Sequence, residues 1–193
     1  MNKKQLETLK EVHEFVKKES IGFAEDDVFS NHILNVKRYA QKLAKLYHAN
    51  EFVVVLAAYL HDIYHLQTHN HEIHEIKGAE FSAKYLKKFN LSQDEINAVC
   101  LCIINHRGSK KVKRISIEER IIACADAMDH IDRWIHMFYR RSKEKSFMET
   151  VEWMNAKLDR GYNKIDLPLA KKIIKNKYLA SKLSLKNIQA EYH

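Results

Sequence analysis

Four glycines and a single proline, Pro168, are the only strong chain breakers in 193 residues. That is too little punctuation for a fold built from hairpins. Between these breaks Lys, Glu and Arg interleave with Leu, Ile, Ala and Val, mostly sound helix formers, and no useful length alternates as a strand would. The expected fold class is all-α. A chain of this length can bury one sizeable core, so one domain with an appendage is the natural organisation.

Periodicity places the helices. The spacing predicts a first helix over 3–18 with Leu6, Leu9, Val12 and Val16 on its apolar stripe, then a loop to Asp27. A second helix starts near Ser30, read as its N-cap, and carries Ile33, Val36, Tyr39, Ala40, Leu43 and Leu46. The run from Phe52 to Leu60 makes a third, which leads into His61-Asp62 and a polar loop at 67–71. A fourth covers 74–88. Capping boxes at Ser92/Glu95 and Ser116/Glu119 open a fifth, ending at Asn105-His106, and a long sixth running through Ile131 to Ile135. Two more helices are expected, over 147–158 and after Leu167. There is no internal repeat and no low-complexity segment.

Composition narrows the setting. No stretch approaches the roughly 20 apolar residues that span a bilayer, and the N-terminus enters an amphipathic pattern directly. Cys100, Cys102 and Cys124 are odd in number and sit in apolar helical patterns, which suits reduced, buried thiols and a cytoplasmic protein. Cys100 and Cys102 splay apart on one helix, so packing is expected of them rather than metal binding. The net charge of +8 raises the question of nucleic acid. Yet the nine Tyr, eight Phe and two Trp fall mostly on apolar stripes and not among basic residues, so stacking platforms are not evident and nucleic acid is not the expected partner.

Twelve histidines are many for this length, and several share an address. His32, His61, Asp62, His74, His106 and Asp126 each fall within or at the end of an apolar helix, where an unpaired charge is costly. One histidine so placed is ordinarily a satisfied core residue. Six metal-capable side chains from five core helices fit a centre built inside a bundle. Imidazoles with carboxylates suit first-row divalent ions such as Mn, Fe, Co or Zn.

The ordered set His32 … His61-Asp62 … Asp126 resembles the H…HD…D signature of the HD-domain superfamily of metal-dependent phosphohydrolases. Ala57-Ala58-Tyr59-Leu60-His61-Asp62-Ile63 and Ala123-Cys124-Ala125-Asp126-Ala127-Met128-Asp129 are similar to its flanking segments. The resemblance covers about residues 28–137. It implies an HD-like helical bundle there and leaves both ends unexplained; an N-terminal helix (1–27) packed on the core and a C-terminal helical extension of the same domain (138–193) are expected around it. It implies that His32, His61, Asp62 and Asp126 ligate one divalent ion.

His74, with Gly78-Ala79 after it, and His106, after Ile103-Ile104, resemble segments of subfamilies that hold a second ion, with Asp62 as the bridge; the alternative for His74 is a loop histidine that caps its helix. One or two ions per chain are therefore expected, Mn, Fe, Co, Zn or Mg. Two ions about 3.5–4 Å apart activate water and clamp a phosphate oxygen together, and the expected reaction is attack of metal-bound hydroxide on phosphorus.

His65 stands where many relatives place a Lys or Glu. It reads as an acid or base or, nearly as well, as a helix C-cap. Arg107 is the leading candidate for a phosphate contact, with Lys110 and Lys111 behind it in the same basic connection. Asp129, His130 and Arg133 follow Asp126 by helical turns, as supports or substrate contacts, or else as surface ion pairs. His69 and His71 are read as solvent-facing, and His13, His48, His136 and His193 as without special role. The expected partner is a small phosphorylated substrate, a nucleotide first, and a homodimer is compatible with the tail. The rival reading is a catalytically weak metal- or nucleotide-binding regulator of the same fold.

Overall fold

In the computed structural model residues 1–23, 27–107 and 113–192 are described, and they are helical with short connections. Helix α1 (Lys3–Glu19) is capped by Asn2, whose side chain accepts from Gln5 N–H while Gln5 reaches back. It buries Leu9, Val12 and Val16, but Leu6, expected on the stripe, is exposed. Helix α2 (Leu34–Leu46) follows a π-helical turn over Phe29–Ile33, in which Leu34 N–H reaches back five residues to Phe29 O. Ser30 is therefore not an N-cap; its own N–H is capped by Asp27 Oδ1 at 3.1 Å. Leu46, at the end of the expected stripe, is exposed as well.

Helix α3 (Glu51–Leu60) starts at Asn50, whose side chain accepts from Val53 N–H. Every residue from Phe52 to Leu60 is buried, because α1, α2, α6 (Gln93–Asn105) and α7 (Ile117–Asp132) surround it. Each large side chain so buried is worth roughly 1.5–3 kcal/mol, so this segment anchors the core. Residues 67–68, expected in a loop, complete a short α4 (Ile63–Thr68) that ends on left-handed His69. Helix α5 (His74–Leu86) packs on α6, and the two capping boxes read from the sequence are both formed, at Ser92 and at Ser116.

The long helix expected to reach Ile135 stops at Asp132. Arg133 leaves helical geometry with its guanidinium folded back on Asp129, and Ile135 is exposed on the next helix, α8 (Trp134–Ser142). Helices α9 (Phe147–Lys164) and α10 (Pro168–Glu191), the latter with Pro168 in its first turn, close against α7. They bury Val151, Met154, Leu158, Ile174 and Leu185 in the same core. Cys102 and Cys124 are buried, Cys100 is half-buried, and all three are free thiols. Among the described residues no helix is long and apolar enough to cross a membrane.

Candidate metal centre

The site is assembled at helix ends. Neighbours on an unbroken helix point in different directions, yet His61 and Asp62 face one point, with Nε2 and Oδ2 3.6 Å apart. The chain allows this by breaking between α3 and α4: Asp62 takes φ −110° and ψ 14°, outside the helical region. His32 arrives from the π-helical turn, a rare conformation associated with functional sites. His74 opens α5, His106 ends α6 and Asp126 lies within α7.

Two groups of three result, His32 with His61 and Asp126, and Asp62 with His74 and His106. In each, one ligand atom per residue lies within 4.8 Å of the others. Asp62 joins them: Oδ2 is 3.3 Å from His32 Nε2, while Oδ1 is 3.4 Å from His74 Nε2 and 3.7 Å from His106 Nε2. All four histidines are buried.

Their tautomers follow from their other nitrogens. His61 Nδ1–H donates to Ala58 O at 2.9 Å, His74 Nδ1–H to His71 O at 2.8 Å, and His106 Nδ1–H to Ile103 O at 2.6 Å. His32 Nδ1–H donates to Asp129 Oδ2 at 2.7 Å. With Nδ1 committed in this way, Nε2 is the nitrogen that each ring turns to the centre and that a metal would engage. Nε2 of His32 and His61 are 3.1 Å apart, and those of His74 and His106 3.3 Å apart. Two ring nitrogens so close share either a proton or a metal ion. The spacing is also that of two nitrogens about 2.1 Å from one ion and about 100° apart. The donor set fits divalent metal.

Charge around the centre is arranged to match. Burial alone would raise the Asp62 and Asp126 carboxyls, but His61 and His32 around the first, and Lys164 and His130 around the second, hold both well below the usual range. Lys164 Nζ, from the end of α9, lies 2.8 Å from Asp126 Oδ2, and both side chains are nearly buried. Burial opposes charge on His32, yet Asp129 and Asp62 together more than offset it and raise the imidazole to about 10. Burial lowers His106 to about 4.

Asp129 is fully buried and also accepts from Arg133 Nε at 2.9 Å and from Asn35 Nδ2 at 2.7 Å. It is thus a support behind His32, not a surface ion-pair residue. His130 Nε2 is 3.6 Å from Asp126 Oδ1, and its ring lies parallel to that of His32.

Beside the centre a cleft of about 520 Å³ is lined by His65, His71 and His130, by Arg140 of α8 and by Trp153 and Lys157 of α9. Burial pushes His65 down to about 4, and its ring stacks on that of His71 with centroids 3.4 Å apart. His71, read as solvent-facing, is exposed and also lines the cleft, as does His136, read as without special role. Arg133 lines it too.

Arg107 is engaged elsewhere, with Nη1 3.1 Å from buried Glu75 Oε2 and 2.8 Å from Glu72 O, bracing the start of α5. Lys110 and Lys111 lie outside the described residues. Sequence reasoning missed Lys164, Lys157 and Trp153. Their one local signal is the seven-residue spacing of the two lysines, which puts them two turns apart on one helix.

A model of the HD domain family matches residues 29–131. Solved structures similar over almost the whole chain include a predicted HD superfamily hydrolase from an uncultured Thermotogales bacterium, 19% identical, covering 100% of both chains with a TM-score of 0.68. A second is Bacillus subtilis YpgQ in complex with ADP, 16% identical over 97% of this chain and 96% of that one, with a TM-score of 0.74. A third is an HD-superfamily hydrolase from Bacillus thuringiensis, 18% identical over 97% and 98%, with a TM-score of 0.72. These likenesses extend through α8, α9 and α10, so the fold they share includes the C-terminal helices. No curated protein matches the sequence.

Proposed function

This chain belongs to the HD domain family, and from that premise we propose that it is a metal-dependent phosphohydrolase whose two ligand groups share Asp62 as a bridge. The observation that carries the reading is the convergence of four Nε2 atoms, each with its Nδ1 committed, on the two oxygens of one carboxylate. A divalent pair in such a site activates water near neutral pH and relieves the charge of a phosphate.

The chain's own groups complete the chemistry. His61, His32 and Asp126 would hold one ion, His74 and His106 a second, with Asp62 placed to serve both. Asp129 and Lys164 hold His32 and Asp126 in register from behind. His65 lines the cleft as a neutral imidazole at physiological pH, so in this reading it takes a proton rather than donating one. Arg133, on the cleft wall, offsets phosphate charge.

The substrate we propose is a phosphoester or phosphoanhydride of a nucleotide or other small phosphorylated molecule. What supports it is the size of the cleft and its basic wall, together with the ADP bound by the structurally similar YpgQ.

The test is hydrolysis of a panel of nucleotides and small phosphoesters by Mn²⁺-loaded protein. A metal centre contributes several kcal/mol to the transition state, so exhaustive chelation or Asp62→Ala should each lower the rate by about 10³-fold or more. Undiminished hydrolysis after either would sink the proposal.

A further inference from the structure

Helix α9 carries two lysines two turns apart near Asp126, and they are in different situations. Lys164 is bonded to Asp126. Lys157 is partly buried in the wall of the cleft and has no hydrogen-bond acceptor or carboxylate partner among the described residues. Its neighbour is the Trp153 ring, 5.5 Å from Nζ to centroid. A ring face attracts a cation but does not replace acceptors for three N–H donors.

Two other cations of the wall are already engaged by carboxylates. Arg133 is bonded to Asp129, and Arg141 pairs with Glu144 at 3.2 Å. Burial lowers the Lys157 ammonium below its ordinary range even though the Asp126 charge opposes that. A cation held beside the centre in this condition lacks an anion that the protein does not supply.

We infer that Lys157 binds a phosphoryl oxygen of the substrate, so that α9 adds a fixed positive charge to the one that Arg133 brings to the substrate site. The inference rests on the proposed function for the identity of the anion as phosphate. Its geometric basis, an ammonium without a partner in the cleft that Asp62 and His130 also line, does not depend on turnover.

The test uses the full chain loaded with Mn²⁺ and inorganic phosphate as the probe, with binding followed by calorimetry and bound Mn²⁺ by metal analysis. Charge-assisted hydrogen bonds to phosphate are strong, so Lys157→Met should weaken phosphate binding roughly tenfold or more, while Lys157→Arg stays within about threefold of wild type. Bound Mn²⁺ should not change. The melting temperature of Lys157→Met without phosphate should equal or exceed that of wild type, because an unpartnered charge has been removed. Lys157→Gln provides a second neutral variant should the methionine protein fold poorly.

Phosphate affinity within about twofold of wild type in the neutral variants overturns the inference. So does a loss of phosphate binding that tracks a loss of Mn²⁺, since Lys157 would then act through the centre. Wild-type protein that loads Mn²⁺ yet binds no phosphate overturns it too. Wild-type protein that hydrolyses nothing, but binds phosphate through Lys157, removes the hydrolase reading and leaves this one standing. Hydrolysis with phosphate binding indifferent to Lys157 does the reverse.

Discussion

The two ligand groups that meet at Asp62 are braced in different ways. His74 and His106 are held by backbone: each donates Nδ1–H to the carbonyl three residues before it, His71 O and Ile103 O. That geometry is local and comes with the helix ends that carry them. His32 and Asp126 are held by side chains from far along the sequence, Asp129 behind the first and Lys164 behind the second. Asp129 in turn engages Arg133 and Asn35. In the first half two of the three ligands, His32 and Asp126, therefore depend on a polar network that packing must assemble, while His61, which donates Nδ1–H to Ala58 O, is held locally like both histidines of the second half. Damage should spread through one half and stay confined in the other.

The strongest way to break this contrast is to remove a ligand from the locally braced half. His106→Ala should abolish one of two bound ions and lower hydrolysis by about 10²-fold or more, the size of effect seen when a preorganised transition-state contact is lost. The ion held by His32, His61 and Asp126 should stay within a few-fold of its wild-type affinity, as read by Mn²⁺ titration. If both ions disappear, the halves are not separable in the way the bracing suggests.

Asp129→Asn probes the networked half without touching a ligand. Loss of a partner behind a metal-binding histidine costs about 10–100-fold in affinity or activity. The loss should fall on the ion at His32, with the His74–His106 ion weakened much less. Equal weakening at both would show that Asp62 transmits the disturbance and that local bracing does not insulate the second half.

The smallest effect is on stability against pH in metal-free protein, and its sign differs between the halves. His32 is raised from 6.5 to about 10, so the stabilisation it draws from Asp129 and Asp62 is complete below about pH 6.5 and is lost as pH rises towards 10. His106 is lowered from 6.5 to about 4, so its contribution is complete above about pH 6.5 and is lost as pH falls through 4. Denaturant unfolding across pH 4–10 should give a maximum near neutrality, with limbs on the order of a few kcal/mol. Asp129→Asn should flatten the alkaline limb and leave the acid limb in place. An alkaline limb that survives this substitution would assign it to another group.

The same contrast explains what could be read before the structure. The helices that carry the ligands announce themselves by apolar spacing and by side-chain caps such as Ser92 and Ser116, and these are local signals. The six candidate ligands stand at the ends or centres of those helices, so their convergence was legible once the helices pack as a bundle. The π-helical turn was not, because Phe29–Ile33 has residue types that an α-helix accepts equally, and only the reach of Leu34 N–H to Phe29 O distinguishes it. Nor was the break at Arg133, whose guanidinium folds back on Asp129 in an otherwise helical pattern. Lys164 was invisible for the plainest reason. Its partner Asp126 lies 38 positions away, and no local pattern marks a lysine at a helix end as buried.

The central claim is that Asp62 joins two ion positions. Equilibrium dialysis of wild-type protein against Mn²⁺, followed by metal analysis and electron paramagnetic resonance, tests it most directly. The account predicts two ions per chain and the spectrum of an exchange-coupled pair, replaced in Asp62→Ala by uncoupled signal or by none. One ion per chain, or two with the spectrum of isolated Mn²⁺, would contradict it.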